Sequence, residues 1–101
     1  MNCPGGWVIG NFPEAILQTP LFEIAYKYHR QTEDWPRHAQ KIATEYNFLL
    51  HGAMMVNDTL FNTGEYFIIE PMEFVKPTFL TDCELIVVKI PSLPDDKILD
   101  K

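Results

Sequence analysis

The chain has 101 residues, 47% of them hydrophobic and 13% aromatic, which suits one packed domain and excludes a disordered polypeptide. Eight Lys and Arg against fourteen Asp and Glu leave a net charge of −6. The basic residues are scattered rather than striped, so neither a nucleic-acid backbone nor an anionic membrane surface is an expected partner.

Met1 to Gly6 has neither the basic n-region nor the apolar h-region of a signal peptide. The longest apolar runs, such as Phe67-Ile68-Ile69, are too short to cross a bilayer, so a soluble, cytoplasmic protein is expected. Cys3 and Cys83 lie far apart without a Cys-x-x-Cys spacing, and two free thiols fit that compartment.

Trp7-Val8-Ile9, after the Gly5-Gly6 turn, predicts a short edge strand. Phe12 to Leu17 fits one helical turn or a second edge strand equally well. Phe22 to Arg30 sets Phe22, Ile24, Tyr26 and Tyr28 against Glu23, Ala25, Lys27 and His29, the period of a half-buried strand. Tyr26 and Tyr28 are expected in the core, and His29 and His51 at the surface or in turns.

Gln31 to Gln40 is polar, contains Pro36 and reads as a loop. Glu45 to His51 predicts a strand with Glu45, Asn47 and Leu49 on one face and Tyr46, Phe48 and Leu50 on the other. Asn57-Asp58 marks a hairpin turn, and Asn62-Thr63-Gly64 a second turn before a strand from Tyr66 to Glu70. Phe74-Val75-Lys76 and Phe79 form a short strand, bent or at an edge because of Pro77. Met54, Met55 and Met72 are expected as core filler. Cys83 to Ile90 is the longest apolar strand, stopped by Pro91-Ser92-Leu93-Pro94. Seven or eight short strands, with turns every ~8–12 residues, predict an all-β antiparallel sandwich or barrel. The expected layout is a single domain over 1–101, with a core from about 22 to 90, an N-terminal edge segment 1–21 and a tail 91–101 that is docked or frayed.

One constellation carries chemistry: His38-x-Gln40-x4-Glu45-x6-Gly52. A carboxylate on an otherwise apolar strand must be paired or functional, which makes Glu45 the leading site residue, with Asn47 one step along the same face. The segment resembles the first motif of the cupin family, His-x-His, three or four residues, Glu, six residues, Gly, with Gln40 in place of the second His. Gly64, six residues, Pro71-Met72-Glu73, two residues and Lys76 resemble the second motif, with Glu73 for its second Gly and Lys76 for its His. The run from Val88 to Lys97 resembles the ending of small uncharacterised bacterial and phage cupins; read from its residues alone, it is a strand end and turns with Lys89 paired to an acidic neighbour.

The resemblance implies a small RmlC-like jelly roll (double-stranded β-helix) that pairs as a homodimer through an N-terminal or edge strand, with Trp7 and Phe12 as contacts. The family's metal set becomes His38, Gln40, Glu45 and Lys76 here. Lys ammonium has no lone pair and repels a divalent ion, so the expectation is no metal cofactor, with Lys76 pairing with Glu45 instead. If a transition metal such as Fe, Mn, Ni or Zn is held, His38, Gln40 and Glu45 are its ligands.

Three functions follow. The leading one is a binding protein for a small polar ligand, of sugar or sugar-nucleotide type, held by His38, Gln40, Glu45, Asn47 and Lys76. A metal-dependent isomerase, epimerase or oxygenase, with His38 and Glu45 as catalytic residues, is the enzyme alternative. A structural subunit with a filled barrel is the third. Motifs for dinucleotide, P-loop, serine-hydrolase and zincin chemistry are absent from the sequence.

Overall fold

The computed structural model of the chain describes residues 4–100, so the expectation for Cys3 lies outside the described residues. After a 3-10 turn at Pro4–Gly6, eleven strands follow in order. They are β1 (Trp7–Gly10), β2 (Leu17–Gln18), β3 (Glu23–His29), β4 (His38–Gln40), β5 (Thr44–His51) and β6 (Ala53–Val56). The remainder are β7 (Thr59–Asn62), β8 (Tyr66–Ile69), β9 (Pro77–Phe79), β10 (Cys83–Ile90) and β11 (Lys97–Leu99).

One layer is a six-stranded sheet in the order β2-β1-β3-β10-β5-β8. The three-stranded sheet β7-β6-β9 and the pair β11-β4 make the second layer, linked through a bridge between His38 and Val75. All pairings are antiparallel except the short contact of β1 with β2. Of Phe12 to Leu17, expected as a helical turn or an edge strand, Phe12 to Ile16 is a turn closed by the Ala15 N–H to Phe12 carbonyl bond, and Leu17 alone enters the edge strand β2.

The two long strands, β5 and β10, lie side by side in the middle of the large sheet, where β-branched and aromatic residues suit a pleated surface. Gly52 ends β5 because a side chain there would have no room: its φ is 111°, and an added Cβ would lie 2.5 Å from the Asp82 carbonyl oxygen and 2.8 Å from Cys83 Sγ. Asn57, at φ 52°, makes the tight β6–β7 turn, and Gly64, at φ 87°, turns the chain into β8.

The apolar core lies between the layers, built from Ala25, Leu49, Met54, Phe67, Ile69, Val75, Phe79, Cys83, Leu85 and Val87. Each of the larger side chains contributes about 1.5–3 kcal/mol by leaving water. Met72 is not part of it; it stands 53% exposed in a turn at φ 66°.

Strand β3 has the expected period but the opposite polarity. Ala25 is fully buried and Lys27 and His29 turn inward, whereas Tyr28 is 51% exposed on the outside. There Tyr26 and Tyr28 donate hydrogen bonds to Glu84 and Asp82. Apolar character was therefore a misleading guide to which face is inside.

The tail is docked. Asp96, 8% exposed, accepts backbone N–H bonds from Ile42 (3.0 Å) and Ala43 (2.9 Å), and β11 then pairs with β4 so that Lys97 stands opposite Gln40. Ser92 Oγ accepts the Asn11 N–H at 2.9 Å and ties the tail to the N-terminal segment.

Candidate functional site

A cavity of about 200 Å³ lies between the two layers. Its floor is apolar, formed by core residues such as Met54, Phe67, Phe79 and Leu85. Its other side is polar, and the sheet register explains why. On the inner face, Lys89 of β10 is paired across the ladder with Glu23 of β3 on one side and Glu45 of β5 on the other. The next row is Ala25, Val87 and Asn47, and the two after it set Lys27 beside Leu85 and Leu49, then His29 beside Cys83, so β3 stays polar along the inner face while β10 and β5 turn apolar.

Of the residues expected in the site, His38, Gln40, Glu45 and Asn47 all line this cavity. His38 is fixed twice: its backbone bridges Val75, and its ring Nδ1–H donates to the Pro36 carbonyl at 2.9 Å. That bond leaves Nε2 as the acceptor nitrogen. Asn47, 4% exposed, donates from Nδ2 to Glu45 Oε1 at 3.1 Å. Gln40 is 3% exposed, and its Oε1 is buried without a hydrogen-bond partner among the described residues.

Lys76 does not join them. Val75, 3% exposed, takes the inward position in bridging His38, and the alternation of extended chain then sends Lys76 outward. Its ammonium donates to Asp34 Oδ1 at 2.9 Å and to the Trp35 carbonyl at 2.6 Å. The expected Glu45–Lys76 pair is thus corrected: the cations beside Glu45 are others.

Lys27, Lys89 and Lys97 line the cavity, as do Trp7 and Trp35. The ammonium groups of Lys27 and Lys89 lie 5.1 and 4.7 Å from the centre of the Trp7 ring, and that of Lys97 lies 4.8 Å from the centre of the Trp35 ring. Such cation–π contacts are worth about 0.5–1 kcal/mol at exposed sites and more when desolvated. Burial, followed by the charges of Lys89 and Lys97, pulls the Lys27 amine below its ordinary pKa; partial desolvation and then Lys89 do the same to Lys97.

His29 also lines the cavity, contrary to the surface or turn position expected for it. Its ring stacks on Phe79 at 4.6 Å and meets Trp35 edge-on at 5.4 Å. Its Nδ1–H donates to Glu33 Oε1 at 2.9 Å, and the Trp35 indole N–H donates to the same oxygen at 2.8 Å. Burial alone would push the Glu33 carboxyl up, but the bonds from Trp35, His29 and the Arg30 backbone outweigh it and hold the pKa at about 2.

The donor set does not fit the metal that the fold suggests. Among the described residues no three His, Cys, Asp or Glu side chains form a metal-ligand group. His38, Gln40 and Glu45 offer one imidazole, one amide oxygen and one carboxylate, in a cavity shared with three ammonium groups that oppose a divalent ion.

No protein-family model matches the chain, and no curated protein matches its sequence. Its likeness to solved structures is clear. An uncharacterised conserved protein with a double-stranded β-helix domain from Klebsiella pneumoniae superposes with a TM-score of 0.72 at 13% identity, covering 83% of this chain and 74% of that one. The DMSP lyase DddQ of Ruegeria pomeroyi gives 0.71 at 16% identity over 92% of this chain, which spans about half (49%) of the lyase. An RmlC-like cupin family protein of Methanocaldococcus jannaschii gives 0.63 at 17% identity, covering 73% of each chain. The protein is a double-stranded β-helix with a partly polar cavity between its layers. Its fold is the RmlC-like cupin fold.

Proposed function

We propose that the protein binds a small polar ligand, the size of one sugar ring or a short organic acid, inside the β-helix. The observation that carries this is Gln40 Oε1, a buried acceptor at the cavity with no donor among the described residues. Leaving such a group unpaired costs about 1–3 kcal/mol, which a hydroxyl or N–H of a ligand would recover. A volume of about 200 Å³ is below the range of ~300–1,000 Å³ usual for drug-sized ligands, so a single sugar fits this reading better than a sugar nucleotide. An open cavity also counts against a barrel filled solely for structure. The buried Cys83 thiol suits a reducing, cytoplasmic setting.

A thermal-shift screen of monosaccharides, sugar acids and organic acids tests the proposal. A ligand at about 100 times its Kd adds roughly 2.7 kcal/mol, a shift of several degrees for a chain of this size. The shift should vanish in Glu45→Gln; a screen without such a hit contradicts the reading.

One observation favours a second reading, acid–base catalysis. His29, held by Glu33 through Nδ1, has the arrangement of a base oriented by a carboxylate. His38→Ala and His29→Ala, each with the fold retained, should then abolish turnover of any bound compound. Loss of binding alone supports the first reading.

For the partner, we propose a second copy of the chain, met through the outer face of the large sheet rather than through Trp7, whose ring lines the cavity. Two adjoining ladder rows on that face, Ile24-Val88-Tyr46-Ile68 and Tyr26-Ile86-Phe48-Tyr66, are apolar or aromatic throughout. Phe48, Tyr66 and Ile68 are 43%, 66% and 45% exposed. With neighbouring Tyr28, Leu50 and Ile90, each about half exposed, the face offers the broad, mostly apolar surface that a stable complex covers. A sheet face can meet its own copy about a two-fold axis. Analytical ultracentrifugation should show a dimer; a monomer at micromolar concentration would contradict this and leave the face to a different protein.

A further inference from the structure

The cationic side of the cavity has a consequence for the ligand, resting on the reading that the cavity binds a small molecule. We infer that Lys27, Lys89 and Lys97 form an anion subsite that takes the carboxylate or phosphate of that ligand, while its hydroxyl or N–H groups reach Gln40.

Three of the chain's eight basic residues converge on one cavity in a protein of net charge −6; among the described residues Glu45 is the acidic residue of the cavity lining, with Glu23 on the same face across the ladder from Lys89. Among the described residues the ion pairs are His29–Glu33, Arg37–Asp100 and Lys76–Asp34, so none of the three lysines has a carboxylate within ion-pair distance. Their ammonium groups rest on Trp7 and Trp35 instead. Like charges brought together beside a partly buried cavity repel one another, and after burial, the larger cause, the charges of Lys89 and Lys97 lower the pKa of Lys27. An arriving anion converts that repulsion into attraction. Aromatic rings that hold the cations in place reduce the entropy lost on binding.

A competing account is that the lysines merely cover indole faces with their apolar stems while their charges sit in water. The two differ in what anions do. NMR of the full chain carrying isotope-labelled lysine, titrated with glucose, gluconate and glucose 6-phosphate, compares one skeleton as a neutral, a carboxylate and a phosphate. The subsite predicts saturable shifts of Lys27, Lys89 and Lys97 signals with at least one anion, at least tenfold tighter than with glucose. Exposed Lys41 and Lys76 should stay still, and whichever anion binds tighter names the source of the charge. Lys89→Met, or Lys27→Met should the first misfold, should weaken that binding at least tenfold. Glucose binding as tightly as both anions would overturn the anion subsite and leave the polar-ligand reading standing. No saturable shift with any of the three compounds would overturn both.

Discussion

On the inner face of the large sheet, β3, β10 and β5 carry Glu23, Lys27, His29, Lys89, Glu45 and Asn47. On the outer face the same strands carry Ile24, Tyr26, Ile86, Val88, Tyr46 and Phe48. A sheet with one solvated side ordinarily has these reversed. Holding charge between two layers costs desolvation, and exposing a broad apolar face invites association. Each departure is tolerable where something else completes it: a polar ligand within, a protein surface without. The inner face shows the limit of the pattern as well, since its far rows set Leu49, Leu85 and Cys83, ordinary core that supports the strands, beside Lys27 and His29 of β3.

That division can be broken by substitution, starting where the effect should be largest. Leu49→Ala, at 1% exposure, should cost ~2–5 kcal/mol in urea unfolding, whereas a polar cavity residue beyond it should cost far less. On the outer face, Phe48→Glu with Tyr66→Glu should weaken dimerisation at least 100-fold by sedimentation, with monomer stability changed by under ~1 kcal/mol. A loss of stability as large as that of Leu49→Ala would show that the outer face is structural.

Asp96→Ala removes the carboxylate that accepts the Ile42 and Ala43 N–H groups, leaving buried donors unpaired, and should cost ~2 kcal/mol. Because β11 then loses its anchor, the same variant should weaken anion binding through Lys97, which separates the tail's role from that of the sheet. The smallest effect belongs to the His29 support. The Glu33 carboxyl, held at about 2, contributes stability that is complete above the ordinary carboxylate pKa near 4.5 and is lost as pH falls toward 2. Acid titration of Glu33→Gln followed by circular dichroism should lack that component, with a loss at neutral pH of under ~1 kcal/mol because the group is partly exposed.

Much of the fold was legible because strand period and turn chemistry are local. The β6–β7 turn at Asn57-Asp58, the stop at Gly52 and the shared face of Glu45, Asn47 and Leu49 need only neighbouring residues. Period two divides a strand into faces without saying which is inside. For β3 the apolar set Ile24, Tyr26 and Tyr28 pointed the wrong way, because the interior holds a polar cavity. Lys76 was misplaced by a single residue: the motif spacing leads to it, but the bridge to His38 takes Val75 inward. His29, Lys27, Lys89 and Lys97 carry no spacing signal at all. They meet through long-range pairing, Lys97 from a tail that looked like a mere end. The one available hint was Lys27 and His29 sharing a face with Ala25.

The central claim is that the inner polar face serves a ligand rather than folding, and Lys27→Met tests it most directly. Lys27 is held with its pKa below 10.5, so folding disfavours its charged form, and wild-type stability should rise as pH climbs through that lowered pKa toward 10.5. Urea unfolding at neutral pH, repeated across that range, reads both quantities. The account predicts that Lys27→Met is as stable as the wild type or more so at neutral pH, with the rise flattened. A loss of more than ~1 kcal/mol at neutral pH would show that Lys27 is needed for folding, and would contradict it.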